Sequence, residues 1–239
     1  MAILRCIAKS LLVTIGIFLV TFNIAMADLP RSERVPAASL LEEFDRAAGL
    51  TNSEVPQLIN ELGMALIQYF EGWEPRHYDD PAGYCTIGFG HLIALKKCEL
   101  IESDFKKAPL TVKGGVELLE QDTRSARSVV EDLVTVSLDE NQFSAVAAFV
   151  FNVGKSKFAT STMLVLLNSG DLDAAAGQFG RWRKANGVVL PGLVQRRACE
   201  RELFSGGIQL INGRFDVSQC KSLNLTPEDG EPIDILVGE

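Results

Sequence analysis

The stretch from Glu71 to His91 concentrates the residue types that can do acid–base chemistry. Glu71 ends a run in which Leu58, Leu62, Leu66, Ile67 and Phe70 recur at helical spacing, and Gly72 stops that run. Tyr69, Phe70 and Trp73 lie beside it in the chain. The negative end of a helix dipole and an apolar setting both disfavour a carboxylate, so Glu71 is expected to keep the proton that a general acid donates. Asp80 follows a turn in a polar segment, where backbone N–H groups and water favour the charged form. Two carboxyl groups in opposed environments are the division of labour that glycoside hydrolysis uses. Thr86 opens the next strand and is placed to hold a water beside Asp80. Gly83, Gly88 and Gly90 permit tight turns and leave room for a ligand against the backbone.

Other residues of this stretch read differently. Asp79 is expected to be a turn residue, and His77 to lie at the surface. His91 reads as structural, ion-paired to an acid of the helical body. Trp73 and Trp182 fit the core as well as they fit sugar platforms.

The elements that must hold these groups follow from periodicity. Between Arg76 and Leu92, Tyr78, Tyr84, Ile87 and Phe89 alternate with turn residues, which predicts a small hairpin or three-stranded sheet. After Thr111 the pattern is helical. Val112, Val116, Leu119, Ala126, Val130 and Leu133 form one stripe, and Asp139 with Gln142 can cap the next helix. Further helices are expected at Ser161–Leu167, Asp173–Trp182 and Pro191–Phe204, the last with proline at its first position and Gly206-Gly207 after its end. The fold class is α+β: a catalytic helix, a small sheet and a mainly helical body, with a cleft where the parts meet.

The 239 residues suit one good-sized domain with appendages. Residues 1–27 read as a signal peptide: Arg5 and Lys9, then an uncharged apolar run from Ser10 to Met26, closing on Ala25-Met26-Ala27. An uncleaved signal anchor is the competing reading. Residues 28–60 read as a linker with a short helix at Ser39–Ala48, 61–207 as the catalytic domain, and 208–239 as a flexible acidic extension. Cleavage would leave 21 basic residues against 31 acidic ones. Such a chain has no basic stripe for nucleic acid and makes no stable membrane contact after cleavage. It would also keep an even set of cysteines, Cys85, Cys98, Cys199 and Cys220. In a periplasmic or secreted protein these suggest the pairs Cys85–Cys98 and Cys199–Cys220, the connectivity without long-range crossing. A buried, unpaired Cys199 is the weak point of that pairing. No zinc-finger spacing is present, and no metal is expected.

The segment resembles the phage-type lysozymes, whose signature is Glu, eight residues, Asp, five residues, Thr, then Ile-Gly-x-Gly-His. Glu71, Asp80, Thr86 and Ile87-Gly88-Phe89-Gly90-His91 match it throughout. The similarity continues through Asn141-Gln142-Phe143, Phe151-Asn152-Val153-Gly154 and Leu167-Asn168-Ser169-Gly170-Asp171 to Pro191-Gly192-Leu193-Val194-Gln195-Arg196-Arg197. The resemblance implies a lysozyme-like fold and a muramidase that cuts the β-1,4 link between N-acetylmuramic acid and N-acetylglucosamine without a cofactor. It implies Glu71 as general acid, Asp80 as the group that supports the oxocarbenium-like transition state or activates water, and Thr86 as a holder of that water. Phe151, Asn152 and Arg196 would line the sugar groove, although Arg196-Arg197 could instead be scaffolding for Glu200 or Glu202. The acidic charge, the terminal segments and the signal peptide depart from the family pattern. The signal peptide favours local wall remodelling, for example beside a secretion apparatus or flagellum, over rapid lysis by a prophage endolysin. A binding module without turnover and a lytic transglycosylase are the other readings.

Overall fold

The structure, a computed structural model, describes residues 56–102, 104, 108–221, 223 and 230–239. The expected signal peptide and the helix at Ser39–Ala48 lie outside the described residues.

Asn60 opens the first described helix, α1 (Glu61–Glu71), by accepting the Gly63 N–H through its side chain, and Gly72 closes it at φ 72°. Three antiparallel strands follow at once: β1 (Glu74–Asp79), β2 (Cys85–Gly88) and β3 (His91–Ala94), in that spatial order. The register sets Tyr78 opposite Thr86 and Ile87 opposite His91. Of the two forms expected, hairpin or sheet, the three-stranded sheet forms.

The helical body contains α2 (Val112–Leu133), capped by Thr111, and α3 (Glu140–Val153), opened by the expected Asp139–Gln142 capping box. Beyond Glu140, α3 carries no charged residue, and Ser144 through Val150 are all buried. A helix apolar on every side belongs at the centre, and here α2 and α7 (Pro191–Phe204) pack against it. Between them run α4 (Lys155–Ala159), α5 (Thr162–Asn168) and α6 (Leu172–Gln178). Phe149 meets Phe158, Phe179 and Trp182 edge-on, so Trp182 is a core residue rather than a sugar platform.

Two expectations need correction. The helix predicted at Asp173–Trp182 stops at Gln178, tightens into a 3₁₀ turn at Phe179–Arg181, and gives way to a small hairpin, β4 (Lys184–Ala185) and β5 (Val188–Val189). Its turn is Asn186-Gly187, both at positive φ (52° and 76°), the conformation that a two-residue hairpin loop requires. The acidic extension, in turn, is not free along its length, because residues 230–239 are docked. The Lys184 N–H donates to Ile233 O, the Ile235 N–H to Lys184 O, and Ile233 and Ile235 are buried. Asp234 accepts the Gly187 N–H, and Glu239 pairs with Arg181 at 2.7 Å while accepting the Thr162 N–H at the start of α5. Two apolar side chains and these polar anchors outweigh the segment's acidity.

Candidate active site

Helix α1 delivers Glu71 at its last residue, and only Gly72 and Trp73 separate it from β1. The Glu71 side chain is 12% exposed and its Oε1 lies 2.9 Å from Arg196 Nη1 on α7. The apolar setting expected for Glu71 is therefore only half of its environment: beside Tyr69 and Phe70 stands a buried cation. The Arg196 guanidinium also sits 5.8 Å from the centre of the Phe70 ring, which packs beneath the pair.

Asp80 and Thr86 belong to the sheet. Asp80 is buried, and its Oδ1 accepts the N–H groups of Ala82 and Tyr84, each at 2.9 Å. This turn chemistry fixes the carboxylate before Gly83, whose φ of 79° suits glycine. Thr86, also buried, donates its hydroxyl to Tyr84 O at 3.1 Å, so Tyr84 links the two side chains through its backbone. A disulfide joins Cys85 to Cys98, and Asp79 accepts the Cys98 N–H at 2.7 Å. Asp79, expected in a turn, instead ends β1 opposite Cys85 and anchors the segment after β3. His91 Nδ1 lies 3.1 Å from Asp122 of α2, an acid of the helical body as expected. Trp73 packs on Phe89, their ring centres 4.8 Å apart, over Gly115 of α2.

The three residues expected in the sugar groove are placed differently from one another. Phe151 is half-buried against the core. Asn152 is half-buried, and its Oδ1 accepts from Arg197 Nη2. Arg196 is itself buried, and it touches the site through Glu71. Its Nε donates to Glu200 Oε1 at 3.0 Å, so one guanidinium is shared between two carboxylates. Glu200 Oε2 is in turn 2.8 Å from Arg197 Nη1, but their alignment is poor for a directed hydrogen bond, making this contact chiefly one of charge. Arg197 stacks 4.8 Å above the Phe149 ring centre.

Burial dominates the electrostatics of this cluster. It pushes Arg197 down to about 10 and pushes Glu200 up, despite the attraction between them. For Arg196, burial works downward too, but Glu71 and Glu200 together overcome it and hold the guanidinium above its ordinary value. The sequence offered Arg196-Arg197 as scaffolding for Glu200 or Glu202, and Glu200 is the partner of both. Sequence reading missed the junction with Glu71, 125 residues away in the chain.

The chain is similar to known proteins. The family described as phage lysozyme matches residues 68–200, a span containing Glu71, Asp80, Thr86, Asn152 and Arg196. The endolysin of Acyrthosiphon pisum secondary endosymbiont phage 1 is 35% identical over 150 residues, covering 61% of this chain and 97% of its own. Among solved structures, the muramidase domain of SpmX from Asticaccaulis excentricus is 34% identical with a TM-score of 0.53, over 61% of this chain and 96% of that one. A point mutant of P22 lysozyme is 33% identical with a TM-score of 0.54, over 62% of this chain and 99% of that one.

Proposed function

This chain belongs to the phage lysozyme family, and from that premise we propose that it cuts the β-1,4 bond from N-acetylmuramic acid to N-acetylglucosamine. The coarser statement follows from membership: it is a glycoside hydrolase of the lysozyme type, acting on peptidoglycan. The observation that carries the finer reading is the pairing of one acid at a helix end with a second acid and a threonine fixed in the adjoining sheet, at the family's spacing. That one relative by structure is described as a muramidase also supports the bond assignment.

In this reading Glu71 passes its proton to the glycosidic oxygen as the bond from that oxygen to the anomeric carbon breaks. The Asp80 carboxylate faces the positive charge that develops on the sugar, or takes a proton from the water that attacks it. Thr86 holds that water. Its hydroxyl donates to Tyr84 O, which leaves its oxygen lone pairs to accept from a water. The product then carries a reducing end, whereas a transglycosylase would form an anhydro ring and would need neither Asp80 nor Thr86. Phe151 and Asn152 are proposed to line the sugar groove, with Arg196 acting behind them through Glu71. Two disulfides favour action in an oxidising compartment, and the apolar leader ending at Ala27 supports export, with wall remodelling beside an envelope apparatus as the occasion.

Digestion of purified sacculi by the intact protein and by Glu71→Gln, read by mass spectrometry, tests this. We expect reducing-end muropeptides from the first and a rate lowered at least about 100-fold in the second. Retention of more than a tenth of the activity would overturn the role of Glu71, and anhydro products would overturn hydrolysis.

A further inference from the structure

Arg196 in contact with Glu71 poses a chemical conflict: a guanidinium against a carboxyl group favours the charged form, and a proton donor must carry its proton. Arg196 does not act alone, however. Glu200 takes its Nε edge, and the Glu200 and Arg197 side chains are both fully buried, where solvent screening is weak. We infer that Glu200 is a positioning residue for the hydrolysis: it holds Arg196 against Glu71 and offsets the charge of that arginine, so that Glu71 can take up the proton it donates. The inference rests on the reading of Glu71 as the general acid.

The charge count supports it. With Glu71 ionised, the cluster of Glu71, Arg196, Glu200 and Arg197 is neutral, and protonating Glu71 leaves a single net positive charge. Without Glu200, the same protonation would turn one buried positive charge into two. The elements around the cluster carry their own charged groups. Helix α3 presents its only charged residue, Glu140, at the far end from Asn152, and lends Arg196 a carbonyl, Ala148 O at 3.5 Å. The strand that follows Glu71 carries Glu74, Arg76, His77 and Asp79, with Asp80 next. On α7, Arg201 pairs with Glu202 instead. Arg197 completes the arrangement, tied to Asn152 and Phe149, and fixes Glu200 from the other side.

The test is a pH–rate profile of two variants with opposite expected signs. Activity that depends on protonated Glu71 falls as pH rises through its titration, which is the alkaline limb of the profile. Glu200→Gln removes a buried negative charge, so the alkaline limb should move down by about one pH unit. Arg197→Met removes a buried positive charge while keeping an unbranched side chain against Phe149, so the limb should move up. Titration of the Glu71 carboxyl carbon by NMR, its resonance identified by its absence in Glu71→Gln, should shift in the same directions. Alkaline limbs unmoved in folded variants, or a uniform loss of rate at every pH, would overturn the inference and leave Glu200 a purely structural residue. If Glu200→Gln fails to fold, the upward shift in Arg197→Met decides the matter. If Glu71→Gln stays active, the general-acid reading fails by itself, while the NMR titration still reports whether Glu200 controls Glu71.

Discussion

The docked C-terminal segment makes a quantitative claim on stability. Ile235 is 2% exposed, and its N–H donates to Lys184 O at 2.9 Å. Ile235→Ala keeps that N–H and removes three carbons from a packed site. At about 0.8 kcal/mol per buried methylene the transfer loss is roughly 2.4 kcal/mol, and a residual cavity takes the total to about 3 kcal/mol. For a domain of this size each kcal/mol lowers Tm by about 2–4 °C, so the variant should melt about 6–12 °C below the parent. Val237 in the same segment is 79% exposed, and Val237→Ala should stay within about 0.5 kcal/mol of the parent. Removing residues 230–239 altogether should cost roughly twice the single substitution, because Ile233 is lost as well. The Arg181–Glu239 pair adds less than about 1 kcal/mol, since it is partly exposed to solvent. Thermal unfolding followed by circular dichroism under oxidising conditions measures all three. Equal melting temperatures for Ile235→Ala and Val237→Ala would refute the docked arrangement.

Two further outcomes follow from packing at the sheet. A methyl group on Gly115 would overlap the Trp73 ring, so Gly115→Ala should destabilise by about 1–3 kcal/mol and loosen the Trp73–Phe89 stack, readable by tryptophan fluorescence. Replacing both Cys85 and Cys98 by alanine should cost about 3 kcal/mol for a loop of 13-residue separation, read by denaturant titration. Activity should fall with it, because Cys85 adjoins Thr86 on β2; full activity in the folded double variant would show that the strand needs no staple.

The parts of this protein that could be read from sequence are those in which one element carries its own signal. The α1 stripe ending at Glu71, the Asp139–Gln142 capping box and the glycine-punctuated strands are each complete within about a dozen residues. The β4–β5 hairpin carried a signal too, Asn186-Gly187, but its strands are two residues long, too short for alternation to register. In the C-terminal segment, Ile233 and Ile235 do alternate with Asp234. Three residues among acids cannot announce burial, because the groove that receives them is built by Arg181 and Lys184, some fifty residues earlier. Arg196 shows the same limit at the site. Its spacing to Glu200 is visible along one helix, whereas its contact with Glu71 exists only after α1 and α7 have packed.

The two disulfides show how these local and distant parts are held in common. Cys85 immediately precedes Thr86, and Cys199 lies between Arg197 and Glu200, so each bridge starts from a residue adjoining the site and ends in a peripheral segment. Cys199 faces the core, fully buried, which was the reason to doubt its pairing. Cys220, only partly buried, reaches it because the chain after α7 turns back over that face. Each bridge restricts the unfolded chain by about 3 kcal/mol on the entropic account. Oxidation therefore stabilises the strand bearing Thr86 and the helix bearing the Glu71 partner cluster at once. Before oxidation, both halves of the site rest on packing and on their hydrogen bonds and ion pairs alone. Helix α7 would then have to keep two arginines and two glutamates buried without its covalent tie, at several kcal/mol of desolvation for each unbalanced charge. The chemistry of the compartment thus becomes part of what assembles the site.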